Sequence, residues 1–230
     1  MKGVSKDTVK KAFTATIPVM SGYFVLAIGF GILLKTKGYG WGWSVAMSAF
    51  IYAGSMQYLT IDLLCGGASL ITTALTTLMV NARHLFYGIS MVEKYRNTGK
   101  RKPYLIFALT DETYSLVSSK EAIKDVKEPK EYYFIVSLFN QMYWILGSIV
   151  GSLLGTVAEF NTEGIDFALT ALFVTIFVEQ WLTVKNHFSA ITGLGVSLLF
   201  LCLLGPDGFL IPTMIMIVVL LLSFRKRIES

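Results

Sequence analysis

The chain has 230 residues, of which 54% are hydrophobic and only 15% are charged, with a mean hydropathy of +0.61. Because about a quarter of the residues in soluble domains are charged, this composition excludes an ordinary soluble domain. The net charge of +5 comes from lysines and arginines in short connecting segments. That placement favours the positive bias of cytoplasmic membrane loops over a nucleic-acid surface, and no nucleic-acid partner is expected.

The predicted elements are apolar segments long enough to cross a bilayer. The first, Ile17 to Leu34, follows a basic N-terminus and has no small-residue cleavage site after it, so we interpret it as a retained span. Because lipid offers no hydrogen-bond partner to the backbone, every span should be helical. The sequence therefore predicts an all-α, polytopic integral membrane protein in which residues 1–230 form one transmembrane domain. The other predicted spans are Trp43 to Leu64, Ala68 to Tyr87, Tyr132 to Val157, Phe167 to Val184, Phe188 to Leu204 and Phe209 to Phe224.

The number of spans depends on Tyr104 to Val117, which is apolar at first and is then interrupted by TDETY. If this segment does not cross, there are seven spans, and the basic stretch from Lys94 to Lys130 is cytoplasmic. The N-terminus would then lie outside, although its four lysines favour a cytoplasmic location by the positive-inside rule. If the segment crosses, there are eight spans, with the basic Lys94 to Lys102 loop outside. We expect about seven spans, within a range of six to eight.

A faint internal repeat relates two apolar segments, AFIYAGSMQYLTI (Ala49 to Ile61) and LFVTIFVEQWLTV (Leu172 to Val184). Under seven spans, the halves 12–117 and 132–224 enter the membrane from opposite sides. Such inverted repeats are common in secondary transporters. Apolar segments also match by chance, so the repeat is a hypothesis.

The stretch NARHLFYG places polar residues at the end of an otherwise apolar span. On one continuous helix Asn81 and His84 would share a face with Gly88 and with two threonines of the preceding turns. One hypothesis is that Asn81 and His84 line a pathway and that Arg83 holds an anion such as a substrate carboxylate. In the alternative, Arg83 extends to the membrane interface and the threonines serve helix packing.

A second polar group is LTDETY, where Asp111 and Glu112 follow an apolar stretch and Tyr114 shares a helical face with Asp111. A partly buried carboxyl group can carry a proton, and His84, Asp111 and Glu112 are the candidates for proton coupling. The alternative is plain helix capping by Thr110 or Asp111, with Glu112 favourable in the first turn.

Glycines suggest two further features. Gly54 and Ser55, within YAGSMQY, mark a candidate helix break that would expose backbone groups to substrate, with Gln57 as a nearby polar residue. Gly147, Gly151 and Gly155 recur at a spacing of four, which predicts close helix packing.

No enzyme motif is present: the sequence has no HExxH, no P-loop and no GxSxG. With two histidines and two isolated cysteines, no metal or cofactor site is expected. An intramembrane enzyme would require Arg83, His84, Asp111 and Glu112 to converge on one cavity. Without an ATP motif in this chain, uphill transport must use an ion gradient or another subunit.

The order and spacing of SAFIYAGSMQYL, NARHLFYG, LTDETY and GIDFALTALFV resemble the AzlC-type permeases, the large subunits of branched-chain amino acid exporters. The resemblance covers essentially the whole chain. It implies export of leucine, isoleucine and valine, and in some members methionine, across the cytoplasmic membrane of a prokaryote, driven by the proton gradient. It also implies a small AzlD-type membrane subunit as a partner.

The residue roles remain a hypothesis, because the resemblance marks motifs without assigning them. A zwitterionic amino acid needs an anion site and a cation site with an apolar pocket between them. Arg83 would meet the carboxylate, and Asp111 or Glu112 the ammonium. The alternatives are a non-transporting scaffold or regulatory subunit that needs a partner, and an exporter of another small apolar compound.

Overall fold

The computed structural model describes residues 4–118, 123–124, 126–157, 166–183 and 186–224, and every regular element in these ranges is helical. Among these described residues, three helices are long and apolar enough to cross a membrane: α1, α8 and the part of α10 up to Gly205. The helices are α1 (Lys6–Thr36), α2 (Trp41–Phe50), α3 (Gly54–Cys65), α4 (Leu70–Val80), α5 (Ala82–Tyr95), a 3₁₀ turn (Gly99–Arg101), α6 (Lys102–Phe107), α7 (Asp111–Ser118), α8 (Pro129–Val157), α9 (Asp166–Thr183), α10 (Phe188–Gly208) and α11 (Leu210–Ser223).

The chain forms two compact units, residues 1–168 and 169–230. In the second unit α10 and α11 pack together, with the rings of Phe188 and Phe224 5.7 Å apart. Helix α10 is kinked at Gly205, whose φ of +73° lies in the left-handed region that favours glycine. The predicted span Phe188 to Leu204 therefore ends where the backbone itself breaks. The candidate site lies entirely in the first unit.

Helices α1 and α8 form the centre of the first unit and run in the same direction. Near their beginnings Phe13 packs edge-on against Phe139, with ring centroids 5.8 Å apart. Near their ends Lys35 lies beside Gly155. Because the contacts advance along both helices together, the pair is parallel, and both helices begin at the same end of the unit.

Glycine permits the close approach of these two helices. A Cβ atom added to Gly151 would overlap the carbonyl group of Ile28, and one added to Gly31 would overlap the carbonyl group of Ser148. Such contacts let helix backbones touch, as small residues do in membrane proteins. The close packing predicted from the glycine spacing in α8 is confirmed.

Helices α2 and α3 form a hairpin, which corrects the prediction of a continuous span from Trp43 to Leu64. The chain reverses at residues 51–53, where Tyr52 has a φ of +42°. Gln57 Nε2 donates to Ser48 Oγ at 3.3 Å, across nine positions of sequence. A straight helix would separate nine positions by about 13 Å, which these two side chains cannot bridge.

Helix α3, the second helix of this hairpin, returns to the end of the unit at which α2 begins. The Tyr58 hydroxyl donates to the Leu26 carbonyl at 2.6 Å, and its ring packs on Phe30. Both partners lie in the half of α1 towards its C-terminus. The segment therefore enters the unit and turns back, because the Tyr52 backbone breaks the helix halfway.

Helices α4 and α5 follow one another across the unit, interrupted at Asn81, whose φ and ψ are −92° and 3°. The predicted span Ala68 to Tyr87 thus corresponds to two helices that continue to Tyr95. Met91 and Tyr95, at the end of α5, belong to the same apolar cluster as Ala12 of α1 and Val136 of α8. This broken pair therefore runs opposite to α1 and ends where α1 and α8 begin.

Helices α6 and α7 form a second hairpin, which enters the unit from the end where α1 and α8 begin. The Tyr104 hydroxyl donates to Gln141 Oε1 at 2.8 Å, and α6 rises beside α8. Helix α7 then descends beside α5, so that Lys94 Nζ donates to the Val117 carbonyl at 3.0 Å. Tyr104 to Val117 does not cross the unit, in agreement with that part of the seven-span prediction.

The N-terminus of α1 lies at the same end as the basic connecting segments. The Ser5 amide and the Thr8 hydroxyl donate to Glu128 Oε2 at 3.1 and 2.9 Å, just before α8 begins. The seven-span interpretation placed the N-terminus at the other end and is wrong on this point. It counted Trp43 to Leu64 as a crossing, whereas that segment turns back.

The two segments aligned as a repeat differ in structure. Ala49 to Ile61 contains the first hairpin turn, whereas Leu172 to Thr183 lies within the continuous helix α9. The repeat of residues 12–117 and 132–224 remains a prediction. Within the first unit, α1 is followed by the α2–α3 hairpin, and the α4–α5 pair is followed by the α6–α7 hairpin. These two groups have the same order of elements but run in opposite directions.

Candidate functional site

Three helix beginnings meet inside the first unit and are joined by one side chain. Arg83, at the start of α5, places Nη1 2.6 Å from Asp111 Oδ2, at the start of α7. Arg83 Nη2 donates to Ser55 Oγ, at the start of α3, at 2.8 Å. Because helix N-termini carry partial positive charge, discontinuous helices of this kind present sites for anionic groups. NARHLFYG, LTDETY and YAGSMQY thus meet at one place.

The Arg83–Asp111 pair is only partly covered, with 27% and 21% of the two side chains exposed. The Arg83 side chain points to α7 and α3, where it contacts Asp111 and Ser55. Arg83 Nε and Asn81 Oδ1 are buried and form no hydrogen bond within the described ranges. The site thus combines a paired arginine and aspartate with polar atoms that retain bonding capacity.

Aromatic rings form a wall beside this pair. Tyr87 of α5 stacks on Tyr114 of α7, with ring centroids 4.5 Å apart, and the Ser90 hydroxyl donates to Tyr114 at 3.1 Å. The ring of His84 meets Tyr87 edge-on at 6.0 Å. These rings fasten α5 to α7 and give the site a surface against which an apolar side chain can pack.

The continuous polar face predicted for NARHLFYG is interrupted. Asn81 ends α4 and precedes α5, so its side chain and that of His84 do not belong to one uninterrupted helix. His84 Nδ1 lies 3.3 Å from the Asn81 carbonyl oxygen, where the ring bonds to its own local backbone. The side chain that reaches across to other helices is Arg83.

The tip of the second hairpin carries a group of hydroxyls around Glu112. The Tyr23 hydroxyl donates to Glu112 Oε2 at 2.7 Å and lies 2.8 Å from Thr110 Oγ1. Thr110 caps α7 by accepting a bond from the Thr113 amide at 3.3 Å, which confirms the capping interpretation for Thr110. Asp111 and Glu112 in addition have partners on α5 and α1, so capping alone does not describe them.

The residues of YAGSMQY divide between two locations. Gly54 begins α3, which confirms the predicted break, and a Cβ atom there would lie 2.8 Å from the Trp144 ring. Ser55 faces Arg83, whereas Gln57 is fully buried and bonds to Ser48, which in turn donates to Ser148 at 2.9 Å. Gln57 therefore stabilises the hairpin and does not face the arginine.

Sequence reasoning did not select Tyr23, Tyr52, Tyr87 or Asn140. Tyr52 forms the tip of the first hairpin and lies 6.2 Å from the Phe107 ring of the second. Asn140 Nδ2 donates to Thr113 Oγ1 at 3.0 Å. These residues could have been selected as polar groups within apolar segments. Buried tyrosine and asparagine side chains require hydrogen-bond partners, so each of them indicates a polar neighbour.

These features define a multi-pass membrane protein with a polar site built on broken helices. The AzlC protein family matches residues 18–158, and the chain belongs to this family. It is 44% identical over 221 residues to the "Branched-chain amino acid transport protein AzlC" of Bacillus subtilis (strain 168), covering 96% of this chain and 87% of that protein.

Two further relatives are membrane proteins by their descriptions. An "Uncharacterized membrane protein" of Helicobacter pylori (strain ATCC 700392 / 26695) is 41% identical over 220 residues, covering 96% of each chain. The "Inner membrane protein YgaZ" of Escherichia coli (strain K12) is 26% identical over 165 residues, covering 71% of this chain and 67% of that protein. No solved structure matches the chain. The protein is a multi-pass protein of the cell membrane.

Proposed function

We propose that this chain is the large subunit of a secondary transporter that exports branched-chain amino acids, coupled to the proton gradient. The observation that carries the proposal is the partly exposed Arg83–Asp111 pair among three helix beginnings. The name of the B. subtilis relative supports the substrate class. Discontinuous helices with a site between them are a usual arrangement in secondary transporters.

The Arg83–Asp111 pair gives the site one cationic and one anionic side chain. A zwitterionic amino acid brings one charge of each sign, so its carboxylate can pair with Arg83 while its ammonium group pairs with Asp111. Each partly covered charge then retains a partner, which avoids the penalty of leaving one unpaired. The apolar side chain of the substrate packs against Tyr87 and Tyr114, which distinguishes leucine, isoleucine and valine from polar amino acids.

The membrane arrangement that we propose has six crossings and two hairpins. The crossings are α1, α8 and α10, which are long and apolar enough by themselves, the α4–α5 pair, and the spans Phe167 to Val184 and Phe209 to Phe224 predicted from the sequence. By the positive-inside rule the end with the N-terminus and the basic segments is cytoplasmic. The hairpin of α2 and α3 then enters from outside and that of α6 and α7 from the cytoplasm. Their tips meet where Tyr52 faces Phe107.

The partner in this proposal is a small AzlD-type membrane subunit. Efflux is measured from cells that lack their own exporters and are loaded with leucine, isoleucine and valine as dipeptides. Four strains are compared: this chain alone, the candidate partner alone, both proteins together, and neither. Efflux only with both proteins supports a two-subunit exporter, and efflux with this chain alone makes the partner regulatory. Equal efflux with the partner alone would assign this chain a non-transporting, regulatory role.

Substrate analogues test the residue roles. Leucine amide lacks the carboxylate and the corresponding 2-oxo acid lacks the ammonium group, so each should compete weakly with leucine. Losing one charged hydrogen bond weakens binding by about 1.5–3 kcal/mol, or roughly 10- to 150-fold. Competition by either analogue as strong as that by leucine would contradict recognition of both charges. If neither protein combination exports any of the three amino acids while both are present in the membrane, the substrate class is wrong.

A further inference from the structure

We propose that Glu112 carries the coupling proton, held by the Tyr23 hydroxyl at the tip of the hairpin that α6 and α7 form. This inference rests on the proposed proton-coupled export and selects one of three candidates. The other two candidates, Asp111 and His84, are less suited to carry a proton because both lie beside Arg83.

Asp111 is already engaged by Arg83, whose Nη1 lies 2.6 Å from Asp111 Oδ2. Protonation of Asp111 would leave the arginine without its counter-charge in a partly covered site. His84 follows Arg83 directly and bonds through Nδ1 to the Asn81 carbonyl. A proton added to His84 would place a second positive charge beside the guanidinium group.

Glu112 has different surroundings. Its Oε2 accepts a hydrogen bond from the Tyr23 hydroxyl, and within the described part of the chain no lysine, arginine or histidine forms an ion pair with it. Tyr23 and Thr110, the hydroxyls beside it, are buried. The titratable groups that face Glu112 are Tyr23 from α1, Tyr52 from the other hairpin and Asp111 beside it. A partly buried carboxyl group without a cation can be neutral at modest cost, which lets it change protonation state.

The hydrogen bonds around Tyr23 fit both protonation states of Glu112. Tyr23 has one hydroxyl hydrogen and two oxygen neighbours, Glu112 Oε2 at 2.7 Å and Thr110 Oγ1 at 2.8 Å, and either partner can donate in the bond to Thr110. When Glu112 is ionised, Tyr23 donates to it and Thr110 donates to Tyr23. When Glu112 is protonated, the carboxyl group donates to Tyr23, and Tyr23 donates to Thr110. Proton uptake thus reverses two hydroxyls, and the Thr110 hydroxyl then donates to Thr113 Oγ1, 3.1 Å away, instead of to Tyr23.

Access to Glu112 follows from its position. Glu112 is only partly buried, so its carboxyl group is accessible for proton exchange. It follows the tip of one hairpin and faces Tyr52 at the tip of the other. It also neighbours Asp111, through which substrate binding at Arg83 and protonation of Glu112 can influence each other. The coupling site and the substrate site are therefore adjacent but made of different residues.

The test uses full-length protein in liposomes, with the candidate partner subunit if efflux requires it. Leucine accumulation driven by a pH gradient is compared with leucine–leucine exchange at equal pH. A gradient of about one unit supports up to about tenfold accumulation with one proton per leucine. For Glu112→Gln we expect gradient-driven accumulation to disappear while exchange stays within about twofold of the wild type, because exchange moves no net proton. For Asp111→Asn we expect both activities to fall.

The outcomes separate this inference from the proposed function. Retained accumulation in Glu112→Gln overturns the assignment, as does loss of exchange in a Glu112→Gln protein that is present in the membrane. Wild-type exchange without any response to the gradient overturns proton coupling and with it this inference, but leaves the transport assignment intact. A wild type with neither activity overturns the transport assignment itself.

A second variant decides the question if Glu112→Gln does not reach the membrane. Tyr23→Phe removes the donor to the carboxylate, and charged hydrogen bonds are stronger than neutral ones. The pH of half-maximal accumulation should therefore move upwards, by about 0.5–1 unit. The matched control is Tyr143→Phe, which removes a hydroxyl that contacts Thr16 on α1 and should leave that pH unchanged. An unshifted profile in Tyr23→Phe overturns the assignment.

Discussion

Arg83 Nη1 lies 2.6 Å from Asp111 Oδ2, and this pair joins the beginning of α5 to the beginning of α7. The same guanidinium group donates to Ser55 on α3. One side chain therefore connects both hairpins to the broken α4–α5 pair. A ligand that separates Arg83 from Asp111 would change contacts in three segments at once.

Arg83→Ala should abolish leucine efflux, because it removes the carboxylate partner and leaves Asp111 without its counter-charge. Leucine binding itself should weaken by roughly 10- to 150-fold, in line with loss of a charged hydrogen bond worth about 1.5–3 kcal/mol. Efflux is measured together with the amount of protein in the membrane. Arg96→Ala is the matched control, since Arg96 is exposed and its ion-pair partner among the described residues is Glu93, three positions before it. Normal efflux by Arg83→Ala would remove Arg83 from the site.

Gly31→Ala should destabilise the protein, because the added methyl group overlaps the Ser148 carbonyl and must push α1 away from α8. Overpacking of this kind costs about 1–3 kcal/mol, or a Tm decrease of roughly 2–12 °C for a chain of this size. Gly22→Ala, in the same helix, has nothing within 4 Å of the added atom and should keep the wild-type Tm or raise it slightly. Equal Tm values for the two variants would argue against the close α1–α8 contact.

The hairpin arrangement predicts that the N-terminus and Cys65 lie on opposite sides of the membrane. Cys65, at the end of α3, is exposed and should react with an impermeant maleimide in intact cells of a Cys202→Ser variant. A cysteine placed by Val4→Cys in a cysteine-free background should react only after the cells are opened. Both positions outside would indicate seven spans, and both inside would indicate eight.

Thr110→Ala should destabilise the second hairpin, since it removes the cap of α7 and a hydroxyl beside Tyr23. Loss of an N-cap costs about 0.5–2 kcal/mol, a Tm decrease of roughly 1–8 °C. Thr110→Ser keeps both interactions and should behave like the wild type. Thermal unfolding of the purified protein measures the difference, and indistinguishable Thr110→Ala and Thr110→Ser proteins would argue against the cap.

Local chemistry made part of this structure predictable. Apolar composition forces helices in lipid, and the glycine spacing of α8 requires a close neighbour, so both features followed from residues alone. The break at Gly54 and the cap at Thr110 were also visible as short patterns. Even the three motifs of the site could be selected, because charged and polar residues are costly in apolar segments.

Hydropathy could not distinguish a crossing from a hairpin. Trp43 to Leu64 is long and apolar enough to span, and only the backbone of Tyr52 and the Gln57–Ser48 bond show that it turns back. The error in the N-terminal orientation followed from this single segment, because each crossing changes the side of every later loop.

The sequence by itself determined that this is a helical membrane protein of the AzlC family with arginine and carboxylates in its apolar segments, because composition and local motifs carry that information. Only the tertiary structure decided which of these residues are partners. Arg83 pairs with Asp111 and not with Glu112, and Glu112 meets Tyr23 from a distant helix. Neighbouring carboxylates look alike in sequence, but successive residues of a helix point in directions about 100° apart and so meet different elements.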